Sequence, residues 1–409
     1  MTYTTVAVLV TVLAARPLYG QHHGGGASGR SGGLAIGAQA VVLGTHVTPA
    51  MLGRDLTEGY VTQPSISAMG SIAGGRVSFN GMLNLEGLTL KRGELNHSVW
   101  GEGYIDRRHP HTYLHEAVLT GVAGGQVGRL AGSATVGRGF VPYGTDDPMV
   151  RGFVKYPSNH HLSQILERWV AIGAVKYGPA IFEAALFNGD EPTGPSSFGQ
   201  IDRFGDSWSV RGTLSPFAGV ELQSSFAHVT SPELPNGGGL NQRKLSYSGR
   251  VERDFAGRQV YLLAEHSRST QVHGTDQPGF EFTSSLIEAA SSVSRARIAV
   301  RYENSTRPEE ERLADLFRSL RPSTDNSILG TNRWKTWSAS VGSDVSLSRF
   351  TFSPFVELAR SSVQALDPFP VNKPADLYGS EKIWSFSAGT RIAVGMQHKR
   401  MGRYGVAVN

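Results

Sequence analysis

From Leu34 onward the chain alternates between apolar and polar residues. Val77, Phe79, Leu83 and Leu85 interleave with Ser78, Asn80, Asn84 and Glu86, and Leu245, Tyr247 and Val251 with Lys244, Ser246, Arg250 and Glu252. The same pattern sets Ala296, Ile298, Val300 and Tyr302 against Arg295, Arg297, Arg301 and Glu303. It sets Trp384, Phe386, Ile392 and Val394 against Ser385, Ser387, Gly389 and Arg391. A period of two sends successive side chains to opposite faces of a strand, so each segment has one apolar and one wet face. The segments run about 11 to 16 residues, longer than the usual soluble strand of about 5 or 6, and their wet face mixes isolated charges with Ser, Gly and Thr.

Strands are predicted near 35–47, 61–73, 75–91, 113–126, 128–140, 162–177, 179–189, 203–214, 217–229, 241–254, 257–270, 280–291, 293–304, 331–346, 348–362 and 381–395. Of these, 61–73 (VTQPSISAMGSIA) has the faintest alternation. Tight connections at Gly74-Gly75, Gly125 to Val127, Gly178, Ser215-Pro216, Asp254 to Gly257, Ser292 and Leu347 interleave with long ones. The long ones lie near 48–60, 92–112, 141–161, 190–202, 230–240, 271–279, 305–330 and 363–380. Short turns alternating with long loops distinguish a membrane barrel from a Greek-key sandwich. The prediction is a closed antiparallel transmembrane β-barrel of about sixteen strands over 34–395, with both chain ends in the periplasm and 396–409 as a C-terminal periplasmic tail. Tyr60, Tyr113, Phe140, Tyr143, Tyr177, Phe280, Trp334, Tyr378 and Trp384 sit near segment ends, where interfacial girdles are expected. Arg307 to Leu320 has helical spacing and an acidic first turn, which predicts a short helix in the seventh long loop.

Composition narrows the classes further. Among 409 residues there are 50 glycines and no cysteine, which removes disulfides, thiolate metal sites and cysteine nucleophiles. After the N-terminus no apolar run approaches the roughly 20 residues of a spanning helix. The net charge of +5 is spread along the chain and forms no clustered basic face, so nucleic acid is not expected as a partner. Val6 to Ala15 (VAVLVTVLAA) reads as the apolar core of a signal peptide over 1–20, with cleavage after Gly20. The Gly/His-rich stretch 21–33 reads as a flexible tail.

The candidate chemistry is of two kinds. Arg211, Arg250, Glu252, Arg295, Arg297, Arg301, Glu303 and Arg391 fall on the wet face and are candidate lumen-lining residues, as are Asp146, Asp147 and Arg151 in the third long loop. That loop is long and mixed enough either to fold inward and narrow a pore or to lie outside as a lid. The wall charges either line open water or pair across neighbouring strands and plug the barrel. The second kind is a histidine crowd in the second and third loops, from which His109, His111 and His115 are candidate zinc or copper ligands. Their spacing matches no zincin or structural zinc pattern, so no resident cofactor is expected. No G-x-S-x-G is present, and the chain is not read as an enzyme.

GELNHSVWGEGYIDRRHPHTYLHE, PYGTDDPMVRGFVKYPSNHHLSQILER, LFNGDEP, RFGDSW and RPEEERLADLFRSLRPSTDNSILG together resemble a porin-like outer-membrane β-barrel family of environmental bacteria, over most of the mature chain. The resemblance implies a Gram-negative outer-membrane location and this fold, and carries no substrate. With the alternation, it leads to the expectation of a porin-like channel for passive diffusion of small hydrophilic solutes. Membrane lipids and solutes would be its partners, and the architecture is compatible with a homo-oligomer. The alternatives are a surface-exposed binding or metal-handling protein on a plugged barrel and, further off, a hydrolase at the rim.

Overall fold

The computed structural model describes residues 33–408 apart from 51–52, 91–93, 96–104, 107–110, 125–129, 158–159, 274–276, 311–327, 369, 371–372 and 398–399. The signal peptide, most of the 21–33 tail and His109 lie outside the described residues.

Sixteen antiparallel strands close on themselves. They are β1 (Leu34–Thr48), β2 (Leu56–Ile72), β3 (Val77–Asn84), β4 (Leu114–Ala123), β5 (Leu130–Gly139), β6 (Arg168–Tyr177), β7 (Ala180–Phe187) and β8 (Ser207–Phe217). They continue with β9 (Val220–Val229), β10 (Asn241–Phe255), β11 (Arg258–His273), β12 (Gln277–Val293) and β13 (Ala296–Glu310). The last three are β14 (Ile328–Ser343, resuming as Val345–Leu347), β15 (Phe350–Ala365) and β16 (Lys382–Gly395). Each strand pairs with its sequence neighbours, and β1 closes the ring on β16 from Gly37↔Gly395 to Thr48↔Trp384. Closure leaves no unpaired edge to face lipid.

Alternation sorts the side chains along the regular strands. Along β7, Ile181, Glu183, Ala185 and Phe187 are buried inside while Phe182 and Leu186 are exposed outside. The outer face is predominantly apolar, with Leu119, Val136, Leu222, Ile287, Val300, Trp337 and Phe386 all exposed. The inner face of the high wall, the long strands β10 to β16, carries Ser246, Ser267, Ser284, Ser361 and Ser385, all buried. This is the inverse of a soluble protein, as a lipid-facing barrel requires.

The predicted parity holds, with tight turns on one rim and connections L1 to L8 on the other. The turn Ala256-Gly257 between Phe255↔Arg258 has positive φ at both residues (52° and 74°), the type I′ geometry that matches strand twist. The faint strand, β2, is long. A bulge at Gln63 (φ 54°) followed by Pro64 shifts the register against Gln39 and Val41, which interrupts the period of two.

Several expectations are corrected. L6 shrinks to 274–276 because β11 and β12 run on to His273 and from Gln277. Arg307 to Glu310 belong to β13 and do not start a helix; the Arg307 guanidinium stacks on Trp334 at 4.0 Å. The rest of that predicted helix lies outside the described residues. Phe140, Tyr143, Trp334 and Tyr378 are buried inside the protein, while Tyr177 and Trp384 do face outward. The expected tail 396–409 does not hang below the barrel in its described part: residues 400–408 lie in the lumen, where Met401, Arg403, Tyr404 and Ala407 are buried.

Candidate functional site in the barrel lumen

Among the described residues, L3 and the C-terminal segment both enter the lumen. L3 (140–167) turns inward from β5 and crosses to the high wall. Its path is fixed by hydrogen bonds from Gly144 N to Ser225 Oγ (3.0 Å), Gly152 N to Glu288 Oε1 (3.1 Å) and Lys155 Nζ to Ser387 Oγ (3.3 Å). The wall answers with Gln63 Nε2 donating to Val154 O (2.7 Å) and Arg301 Nη1 to Lys155 O (3.2 Å). L3 therefore touches β2, β9, β12, β13 and β16. The C-terminal segment occupies the other half, against β4 to β9. Phe140 N donates to Tyr404 Oη at 3.0 Å, and Tyr404 also hydrogen-bonds Glu116. Arg211 Nη2 donates to Gly402 O, and Val406 N to Ser133 Oγ at 3.1 Å. Met401 and Tyr404 join Met82, Val118, Phe140 and Tyr156 in one apolar cluster inside the barrel.

Charges stitch the two segments together. The Asp146 carboxylate of L3 accepts from Arg400 Nε (2.8 Å) and Arg250 Nη1 (2.8 Å), with Arg403 Nε at 3.7 Å. Burial alone would raise its pKa, but Arg400, Arg250 and Arg403 outweigh burial and hold it down to about 2. Arg400 and Arg403 also reach Glu221 at 3.1 and 3.0 Å. Burial, with Arg211 beside it, lowers the Arg403 guanidinium to about 10.

The lumen candidates sort unevenly. Arg211 grips Glu183 through two bonds of 2.6 and 2.7 Å, and Arg301 grips Glu288 at 2.8 Å, so these two are paired across strands and do not face open water. Arg151 binds Thr145, the backbone of Asp146, and Glu265 at 3.4 Å. Asp147 caps a 3-10 turn by accepting from Met149 N, and burial raises its pKa. Glu303 is buried on the inner wall. Glu252 is exposed, and Arg295 sits in the turn between β12 and β13. Arg297 and Arg391 face the lumen near the turn rim; Nε and Nη2 of Arg391 meet no hydrogen-bond partner among the described residues.

Of the histidines, His111 and His115 come together. A bulge opposite Met82 and Leu83 turns both His115 and Glu116 inward at the start of β4. There the imidazoles meet Glu167, the last residue of L3, held at φ 57°. Burial would push the Glu167 carboxyl up, but the hydrogen bonds from His111 and His115 hold it well below the usual carboxylate range. Sequence reading missed Glu167, Arg400, Arg403 and Tyr404. The cluster Arg400, Arg403 and Tyr404 in a segment taken for a tail was the available signal; for Glu167 there was none.

No family model matches the chain, and no curated protein matches it by sequence. Among solved structures it is similar to an anion-selective porin from Comamonas acidovorans, with 10% identity, 90% of this chain and 100% of that chain covered, and a TM-score of 0.51. The likeness is one of fold. OmpT of Vibrio cholerae in its trimer form (8% identity, 89% and 100% covered, TM-score 0.48) also matches. So does Salmonella typhi OmpF in complex with daunomycin (11%, 88% and 97%, TM-score 0.46).

Proposed function

We propose that the chain is an outer-membrane channel for passive diffusion of small hydrophilic solutes, whose lumen is closed in this conformation by L3 and the C-terminal segment. The observation that carries the reading is the inversion of polarity across a sixteen-strand wall, apolar outside and Ser-, Glu- and Arg-rich inside. A ring of sixteen strands encloses enough width for water and solutes once the axis is clear. The turn rim is then periplasmic and the long loops external. Lipids contact the outer face, and association between copies would bury part of the same apolar surface. In this reading the role is transport, and the buried imidazoles of His111 and His115 serve the carboxylate of Glu167.

A second reading is favoured by the filling itself. Buried wall residues on strand after strand suit a plugged barrel that binds a ligand at its surface. Planar-bilayer recording of the full chain and of a chain ending at Gln397 separates the two. Steps that are rare or small in the full chain and large in the shortened one are expected. An outer-membrane protein that gives no steps in either form would overturn the channel and leave the binding barrel.

A further inference from the structure

We propose that His111, His115 and Glu167 form a binding site for one late first-row divalent cation, zinc being the reference case, which ties the root of L3 to the start of β4. Their ligand atoms lie within 4.8 Å of one another, and all three side chains are buried. Glu167 Oε1 accepts from His115 Nδ1 at 2.5 Å, Thr112 N at 2.9 Å and His111 Nδ1 at 3.3 Å. Three donors crowd one oxygen that has two lone pairs. A cation that takes the place of the two imidazole protons relieves the crowding: tetrahedral metal–ligand bonds of roughly 2.0–2.1 Å set ligand atoms about 3.3 Å apart, the distance at which His111 Nδ1 already stands from Glu167 Oε1 and toward which His115 Nδ1 withdraws. Two imidazoles and a carboxylate are a donor set for zinc, copper or nickel, not for calcium or magnesium.

The surroundings fit the same assignment. With Nδ1 of His111 on the ion, its Nε2 carries the proton and faces Glu86 Oε2 at 3.7 Å, the carboxylate–imidazole–metal relay that orients ligating histidines. Glu86 is itself fixed by Thr62 Oγ1 (3.1 Å) and Gln63 N (2.8 Å). Glu167 holds a left-handed backbone that a residue with a β-carbon rarely adopts, and such strain marks positions where the side chain's direction matters. The site lies deep beside L3, so the ion acts as a clasp on that loop and is not cargo in the pore.

The test uses the folded full-length barrel, stripped with a chelator and reloaded with zinc or cobalt alone. The expected result is one ion per chain, with the ligand-field spectrum of four-coordinate cobalt and a higher temperature for loss of heat-modifiable migration. His115→Gln and Glu167→Gln abolish uptake, Glu86→Gln weakens it by roughly 10–100-fold, and His266→Ala, on the outer face, leaves it intact. Heat-modifiable migration identifies the variants that still fold. Absence of stoichiometric uptake by the wild-type barrel, or uptake unchanged in folded His115→Gln and Glu167→Gln, overturns the site. Conductance is recorded separately, so failure here leaves the channel reading standing.

Discussion

L3 and the C-terminal segment fill the same lumen by different means. L3 is tethered at both ends, to β5 and β6, and is bonded to the wall through its backbone at Gly144, Gly152, Val154 and Lys155. The C-terminal segment is joined to the wall after Gly395 and bonded to it at Gly402 and Val406, and its polar grip on L3 combines the Phe140 N bond to Tyr404 Oη with side-chain charges, Arg400 and Arg403 on Asp146, backed by Glu221. A loop anchored at two ends and through its backbone is part of the barrel's fabric. The C-terminal segment adds no strand to the wall and depends on ion pairs for much of its hold, so the expected difference between the two halves of the plug is that it leaves more readily than L3.

Ending the chain at Gln397 is the most direct way to break that comparison. Single-channel conductance in planar bilayers should rise several-fold, while heat-modifiable migration shows the barrel still folded. A smaller effect is expected from Asp146→Asn, which leaves Arg400, Arg403 and Arg250 facing a neutral amide. Removing one partner from buried ion pairs costs roughly 3–5 kcal/mol, so the segment should spend time outside and become open to trypsin after Arg400. Acid should act alike. The Asp146 carboxyl is held at about 2, below the ordinary value of about 3.9, so its contribution of about 2 kcal/mol is fully present above pH ~4 and is lost as pH falls toward 2. Conductance that rises on acidification in the wild type and not in Asp146→Asn would tie the release to this carboxylate.

The barrel was legible in the sequence because lipid outside and polar lumen inside impose a strict period of two. The alternation of Arg297, Arg301 and Glu303 with Ile298, Val300 and Tyr302 therefore assigns these residues to their faces by residue type alone. It failed where the pattern is interrupted for structural reasons, as at the Gln63 bulge. It also failed where strands outrun the membrane, as at Arg307 to Glu310. The lumen's contents were less legible, because a loop that turns inward buries the same residue types it would expose outside. His111 and His115 could be singled out by composition. Glu167 could not, since its role depends on L3 returning to β4 from 52 residues away. The C-terminal segment misled because polar composition suits both a solvated tail and a plug in a polar lumen.

Gly144→Ala probes the other half of the plug, with a smaller effect on conductance than either change at the C-terminal segment. A β-carbon at residue 144 would stand 1.8 Å from Ser163 O, and its φ of +66° strongly favours glycine. The strain should cost roughly 1–3 kcal/mol and lower the temperature at which heat-modifiable migration is lost. If L3 is fabric, the barrel weakens as a whole and conductance stays near the wild-type level. A large conductance rise without loss of heat resistance would instead make L3 the movable part.

The smallest effect concerns charge. Arg297 and Arg391 face the lumen near the turn rim, close enough to repel one another, and Arg391 keeps Nε and Nη2 without a hydrogen-bond partner among the described residues. In contrast to Arg211 and Arg301, whose charge is spent on Glu183 and Glu288, these two project a net positive field into the lumen once the C-terminal segment is gone. In the chain ending at Gln397, Arg391→Ala should therefore lower the preference for chloride over potassium, read from the reversal potential under a salt gradient. The shift should be seen at about 0.1 M salt, where the screening length is about 10 Å, and should fade near 1 M, where it is about 3 Å. A preference unchanged at low salt would assign selectivity to Arg250, which loses Arg400 as its co-partner on Asp146 when the segment leaves. That would place the selective step at L3 instead of at the turn rim.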